Sequence, residues 1–352
     1  MRSRYFVRYF IATALVLVSV IWVSIAIIDP NDTLAFSPPL DRYPAATNQR
    51  FAYPSVARSS EFDSVILGTS TTRMLEPIHL NEKLGVRLAN ISMDSATWWE
   101  QKQILKLFLR HHEKPKLIIW GIDSRWCILN KKGKRLTTRG FPEWLYDEDK
   151  WNNYLHILNF AMIKLTGKQL GFLLGLRGPK YGKDGYASLN KKGTPYSLAK
   201  ARRKIYGVST PIPPVPALDF PVIDIETRRG WSFPVHETLE KLVLQVNKDT
   251  RLILMMVPYH QHLLGRPNAS RDLRFGECKK RIYQLSRARP NVQYIDFMYR
   301  SPFTNEDKNY WDLLHFNEEG AKQIENSLID FITKGTKSSK IYRTSIKFGL
   351  AF

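Results

Sequence analysis

The sequence predicts an α/β domain on a parallel sheet, carried behind one N-terminal transmembrane helix. Three observations predict it. Short, wholly apolar segments alternate with segments of helical spacing, the pattern of a parallel sheet covered on both faces. A long apolar run opens the chain. Hydrophobic residues make up 43% of the 352 residues, enough for a sizeable core, which excludes wholesale disorder. The 2 Cys exclude a disulfide-rich scaffold and a multi-cysteine zinc or iron–sulfur protein.

The elements follow in order. Ile11 to Ile28 is apolar apart from Thr13, Ser19 and Ser24. With Tyr9 and Phe10 it reaches the roughly 20 residues that a bilayer crossing needs. Arg2, Arg4 and Arg8 precede it, so the positive-inside rule puts residues 1–8 in the cytoplasm and the rest outside. A cleaved signal peptide is the rival reading, but "SIAIIDP" lacks a small-x-small cleavage site, so 1–28 reads as an uncleaved signal anchor. Residues 29–60 hold five prolines and no strong period, and read as an extended linker. Ser64–Leu67 is a first buried strand, with Gly68 marking a turn. Strands at 86–92, 114–123, 251–260 and 291–297 follow. Helical spacing marks 97–110, 236–247, 271–288 and 317–333. The block 124–235 interrupts the alternation between the third and fourth strands. It contains a helical apolar stretch (Trp151–Leu174) and the proline cluster "STPIPPVPALDFP", and reads as an insertion or cap on a domain spanning 61–333.

The formal net charge of +21 first suggests nucleic acid or another anionic surface. Its distribution narrows that choice. Three arginines belong to the membrane topology signal. Residues 131–206 carry 17 Lys and Arg against 5 Asp and Glu, and 334–352 carry five basic residues and no acid. The remainder is nearly neutral. A nucleic-acid partner is not expected beyond a membrane. Anionic polymer or lipid head groups suit the basic block and tail, and a solvated basic surface is the bland reading of both.

Two segments can carry chemistry. Gly68-Thr69-Ser70-Thr71 puts a serine at the turn after the first strand, ahead of an expected helix. Free helix N–H groups and the positive dipole end there suit a nucleophile whose oxyanion needs donors, though a Ser/Thr cluster also serves as a plain N-cap. Asp312-Leu313-Leu314-His315 precedes the last helix. Spacing of three lets a carboxylate fix an imidazole tautomer while the ring takes a proton from serine. A solvated loop capped by Asn317 is the bland alternative.

With both segments in this order, the chain resembles the SGNH (GDSL-type) hydrolase superfamily, which implies a three-layer α/β/α fold over 61–123 and 236–333. The resemblance implies Ser70 as nucleophile, His315 as base and Asp312 as its orienting acid, with no cofactor and no metal. Thr69 stands where the family has Asp. Ser95 lies nearest to the family's oxyanion-hole glycine. Asp123 stands where the family has an asparagine donor, and an ionised carboxylate only accepts, which removes a donor worth on the order of 10²–10³ in rate. Either another donor replaces it, or Asp123 is held protonated or paired with Arg73 or Arg125. Arg73 is also a candidate for positioning an anionic substrate. A looser similarity to membrane-anchored polysaccharide O-acetylation proteins implies an acylated glycan or other ester as substrate and an integral-membrane acyl-donor protein as a candidate partner.

The expected function is a serine acyl-esterase or O-acyltransferase, anchored in a bacterial inner membrane by one span, with its main domain periplasmic. The alternative is a non-catalytic SGNH-like scaffold of an envelope assembly. Trp98, Trp99, Tyr310 and Trp311 read as packing before sugar stacking. His260 and His262 lack a nearby ligand set for a metal. Cys127 and Cys278 are far apart in sequence; a disulfide between them is allowed outside the membrane, but unpaired cysteines are the favoured reading.

Overall fold

The computed structural model describes residues 2–188, 195–335 and 338–346. Lys191 and Lys192 of the basic block and Lys337 and Lys347 of the tail lie outside the described residues.

Two helices precede the sheet, α1 (Arg2–Ile28) and α2 (Gln49–Arg58). β1 (Ser64–Leu67), α3 (Pro77–Leu84), β2 (Leu88–Asn90), α4 (Trp98–His111) and β3 (Leu117–Ile122) follow. α5 (Phe160–Leu173), α6 (Leu198–Tyr206), α7 (Ile225–Arg229) and α8 (Pro234–Gln245) lead to β4 (Arg251–Met256). α9 (Gln261–Leu264), α10 (Ser270–Arg287), β5 (Val292–Asp296), α11 (Pro302–Asn305) and α12 (Glu318–Lys334) complete the order.

The five strands form one parallel sheet in the order β2-β1-β3-β4-β5. β1, β2 and β3 are buried at every residue, which requires cover on both faces and explains why they read as continuous apolar runs rather than alternating ones. Chain direction across the sheet reverses at β1/β3, the crevice where open α/β sheets bind ligands. α1 is long and apolar enough to cross a membrane.

Helix ends follow their sequence signals. Thr97 and Glu100 make a capping box that starts α4. Asn317 accepts from the Gly320 N–H and starts α12, while left-handed Gly335 ends it.

Three expectations are corrected. The prolines of 29–60 do not make it a loose linker. Arg50 on α2 is fully buried and bidentate to Glu100 at 2.7 and 2.8 Å, so its charge is neutralised inside the core. Ala52 and Val56, and Tyr53 and Ala57, form an i,i+4 apolar face too short to show as a period. Second, Cys127 and Cys278 form a disulfide, because the chain after β3 and the middle of α10 meet with Cα atoms 5.4 Å apart. Third, the described part of the basic tail folds back. Arg343 exchanges backbone hydrogen bonds with Asp296 and pairs with its carboxylate at 2.9 Å, and Tyr342 packs between Phe297 and Phe331.

The ends of β1 and β3 touch through one side chain. A Cβ added to Gly121 would lie 1.9 Å from Thr72 Oγ1, and one added to Gly68 (φ +151) would lie 2.4 Å from it. Gly121→Ala therefore overpacks this contact, and urea unfolding followed by circular dichroism is expected to show a loss of about 1–3 kcal/mol.

Glu325 gives a second, pH-dependent expectation. It is buried on α12 and accepts the Glu76 N–H at 2.7 Å. Burial pushes its carboxyl up to about 7, against the pull of that N–H. The folded state thus favours the protonated form. The stability this gives is complete below the unfolded value near 4.5 and is lost as pH rises through about 7. Glu325→Gln should match the parent at pH 4 and exceed it at pH 8 by about 3 kcal/mol in urea unfolding.

Candidate active site

β1 delivers Ser70. Gly68 takes a φ that only glycine adopts freely, and the chain turns at once into a single 3-10 turn over Thr72–Met74. The Thr72 and Arg73 N–H groups both return to the Thr69 carbonyl at 3.1 Å. The helix expected directly after Ser70 is thus one tight turn, and its dipole contribution is correspondingly small. Among the described residues the Ser70 and Thr71 N–H groups have no hydrogen-bond partner, which leaves them as donors beside the serine hydroxyl.

His315 arrives from the loop between α11 and α12. Ser70 Oγ lies 2.8 Å from His315 Nε2, across 245 residues of sequence. His315 Nδ1 lies 2.9 Å from Asp312 Oδ2 and 3.0 Å from Oδ1. The carboxylate only accepts, so Nδ1 carries the proton and Nε2 accepts from the Ser70 hydroxyl. Asp312 Oδ1 also takes the N–H groups of Leu314 and His315 at 2.8 and 2.9 Å. Burial alone pushes the Asp312 carboxyl up. The His315 ring and these N–H groups outweigh it and hold the group below the usual carboxylate range. Ser70, His315 and Asp312 are all half-buried, within reach of a substrate from solvent.

No protein-family model and no curated protein matches this chain. Its chemistry rests on the residues themselves.

The remaining predicted site residues sit around this relay with changed partners. Asp123, at the end of β3, is buried and accepts the Thr69 hydroxyl at 2.8 Å and the Arg125 backbone N–H at 2.9 Å. Burial pushes its carboxyl up, opposed by those two donors and by the charge of Arg125. It is not paired with Arg73, which instead binds Asp94 at 3.0 Å. Asp123 thus holds the residue next to Ser70 and offers no free donor. Ser95 takes a left-handed φ of 55 on the loop that the Met93 N–H ties to the Gly68 carbonyl. No hydrogen bond joins Ser95 to Ser70 among the described residues, and its N–H is unpaired.

Of the aromatic candidates, Tyr310 is fully buried as core, Trp99 is nearly so, and Trp98 is half-buried. Trp311 is half-buried with its ring 5.1 Å from that of Tyr196, and its backbone N–H donates to the His315 carbonyl at 2.8 Å. Among the described residues no group of three or more His, Cys, Asp or Glu side chains gathers as a metal site.

Sequence reasoning missed the brace on the histidine loop. Asp307 accepts from Arg202 at 2.7 Å, from Tyr206 at 2.6 Å and from His260 at 3.1 Å. The His260 N–H holds the Leu313 carbonyl at 3.0 Å, inside the Asp312–His315 segment. α6 of the basic block thus clamps the loop that carries His315. His260 gave the only signal, and its partner, 47 residues away, had none.

The relay makes a spectroscopic prediction. ¹⁵N-histidine NMR of the full chain in detergent at pH 8 should report His315 as the Nδ1–H tautomer. Asp312→Asn should shift the population towards Nε2–H, because the amide no longer demands a donor at Nδ1.

Proposed function

We propose that this protein is a membrane-anchored, extracytoplasmic serine acyl-esterase or O-acyltransferase with a three-layer SGNH-like domain and 124–235 as its insertion. The observation that carries the reading is the Ser70–His315–Asp312 relay, assembled at the β1/β3 crevice from opposite ends of the chain. In the reaction, Ser70 Oγ attacks the acyl carbon of an ester while His315 Nε2 takes its proton. The developing oxyanion has the free N–H groups of the Ser70 turn as nearest donors, with Ser95 contributing from the adjacent loop. Collapse expels the alcohol, which takes the proton from His315 and leaves acyl-Ser70. Water or a sugar hydroxyl, deprotonated by His315, then attacks the acyl carbon, and collapse breaks the acyl–Ser70 bond as His315 returns its proton to Ser70 Oγ. Asp312 holds the Nδ1–H tautomer and balances the imidazolium in both halves.

The proposed compartment has two supports. Arg4 and Arg8 precede the span, which favours a cytoplasmic N-terminus. The Cys127–Cys278 disulfide suits an oxidising space such as the periplasm of a bacterium. An acylated glycan is the proposed substrate class, with an integral-membrane acyl donor as partner of a transferase.

A second reading, a non-catalytic scaffold, is favoured by Asp123. Both its oxygens are occupied, so the donor that the family places there is lost. The two readings separate on one experiment. The full chain in detergent should hydrolyse a chromogenic acetyl ester and take a fluorophosphonate probe at Ser70. Ser70→Ala should abolish both, and Asp312→Asn should slow hydrolysis by up to roughly 10⁴. Hydrolysis that survives Ser70→Ala sinks the enzymatic assignment. A folded protein that neither hydrolyses nor labels supports the scaffold.

A further inference from the structure

α1 stands out from the body. Its residues are exposed from Arg4 to Ile21, and only its last two turns pack, with Ile25 buried and the Trp22 ring 5.6 Å from that of Tyr154. The helix it packs against is α5. The base is stitched further by Asn153 Nδ2, which donates to the Thr33 carbonyl at 2.9 Å, and by Asn31 against Met162. Whatever surrounds α1 must therefore meet the surface of α5.

That surface has the wrong chemistry for water. α5 is apolar on two sides. Met162 and Leu165 face inward and are buried. Phe160, Ile163, Leu170 and Leu174 fall on a second stripe at spacings of three, seven and four, and all are exposed, Phe160 at 81%. Leu155 (81%) and Trp151 (63%) extend the stripe on one side, and Leu176 (78%) on the other. Phe36 at the foot of α1 packs its ring edge-on to Trp151 at 5.1 Å, so the patch is continuous with the base of the span. A contiguous exposed apolar patch of this kind marks an interaction surface.

The charges around it choose the occupant. Residues 159–180 contain Lys164, Lys168, Arg177 and Lys180 and no acid. In a two-fold contact between copies, these cations would face one another without acidic partners from the same segment. Beside a bilayer they meet anionic head groups, with aromatic rings at the interface level. We propose that the outward face of residues 151–176 inserts into the outer head-group layer of the bilayer that α1 crosses. The domain is then fixed at two points and lies against the membrane. This rests on α1 being a membrane span. The orientation has a consequence for the candidate site. Lys180 follows the stripe by four residues and lies within electrostatic reach of Arg73 and Asp94, beside the Ser70 turn. Lys180 and Arg73 thus connect the lipid-facing stripe to the neighbourhood of the Ser70 turn.

The test is nitroxide depth measurement on the full chain in vesicles of phosphatidylethanolamine and phosphatidylglycerol. The native cysteines are joined to each other and take no label. Single labels are placed through Leu155→Cys, Phe160→Cys and Leu174→Cys, with Val16→Cys in α1 and the exposed Asp249→Cys as references. Expected is collision with oxygen and protection from aqueous nickel reagent at 155, 160 and 174, corresponding to about 5–10 Å below the phosphates. Val16→Cys should read deep hydrocarbon, and Asp249→Cys should read water. Labels at 155, 160 and 174 as open to nickel as the one at 249, with 16 still in hydrocarbon, overturn the inference and leave the span intact. A label at 16 in water overturns the span and the inference together. Protection from both reagents, with spin–spin broadening relieved by unlabelled protein, assigns the face to a second copy and overturns it as well.

Discussion

Thr72 occupies the place that side chains on two strand ends would otherwise need. Its side chain lies against both Gly68 at the end of β1 and Gly121 at the end of β3. A side chain on either glycine would move Thr72, and Thr72 starts the 3-10 turn whose preceding residues carry Ser70. The two strands run parallel, but the chain leaves β1 towards β2 and β3 towards β4 on the other side, so a crevice opens there by topology alone. Close packing across the divergence turns the crevice into a defined position. Interiors packed to crystal density transmit such a shift instead of absorbing it.

The partner half of the site is held by polar contacts rather than by packing. The segment 306–317 has little regular structure, yet almost every turn of it is tied. Asn317 holds the Lys308 carbonyl and caps α12, the Tyr310 and Phe316 backbones bridge, and the Trp311 N–H holds the His315 carbonyl. Asp307 gathers three donors from α6 and from the segment after β4. A buried carboxylate with several charge-assisted partners has one low-energy arrangement, because leaving any donor unpaired there costs about 1–3 kcal/mol. Part of the positive charge of the basic block is thus paired with the protein's own carboxylates. Arg202 serves Asp307, Arg139 lies 3.8 Å from Asp94, and Lys183 pairs with Asp41.

What was legible in the sequence divides along the same line. The strands were legible because a segment buried on both faces must be apolar throughout, as Leu117–Ile122 is. Ser70, Asp312 and His315 were legible because the acid and base are three residues apart and the serine follows a strand and a glycine. Arg50 was not, since a charged residue in a proline-rich stretch gives no sign that Glu100 will neutralise it in the core. The disulfide was hidden for a related reason: 151 residues separate its cysteines, and only the finished fold brings the chain after β3 to α10. Local rules recover what local spacing determines. Pairs made by long-range topology leave no mark on spacing, and the brace at Asp307 is made of such pairs.

Asp123 joins the two halves of this picture. It lies one side chain from Ser70, with Thr69 between, and its burial raises the cost of a negative charge there. An ionised carboxylate so close to Ser70 opposes the build-up of an oxyanion at the same turn. A carboxyl with its proton does not. The Thr69 hydroxyl accommodates either state, since it can donate to the carboxylate or accept from the acid. On the proposed reading the second carboxylate therefore sets how readily the tetrahedral intermediate forms, while the Asp312 carboxylate, held ionised by His315 and two N–H groups, sets how readily the proton moves. The same residue type does opposite work on the two sides of Ser70, and the difference lies in which charged or polar group each carboxyl faces.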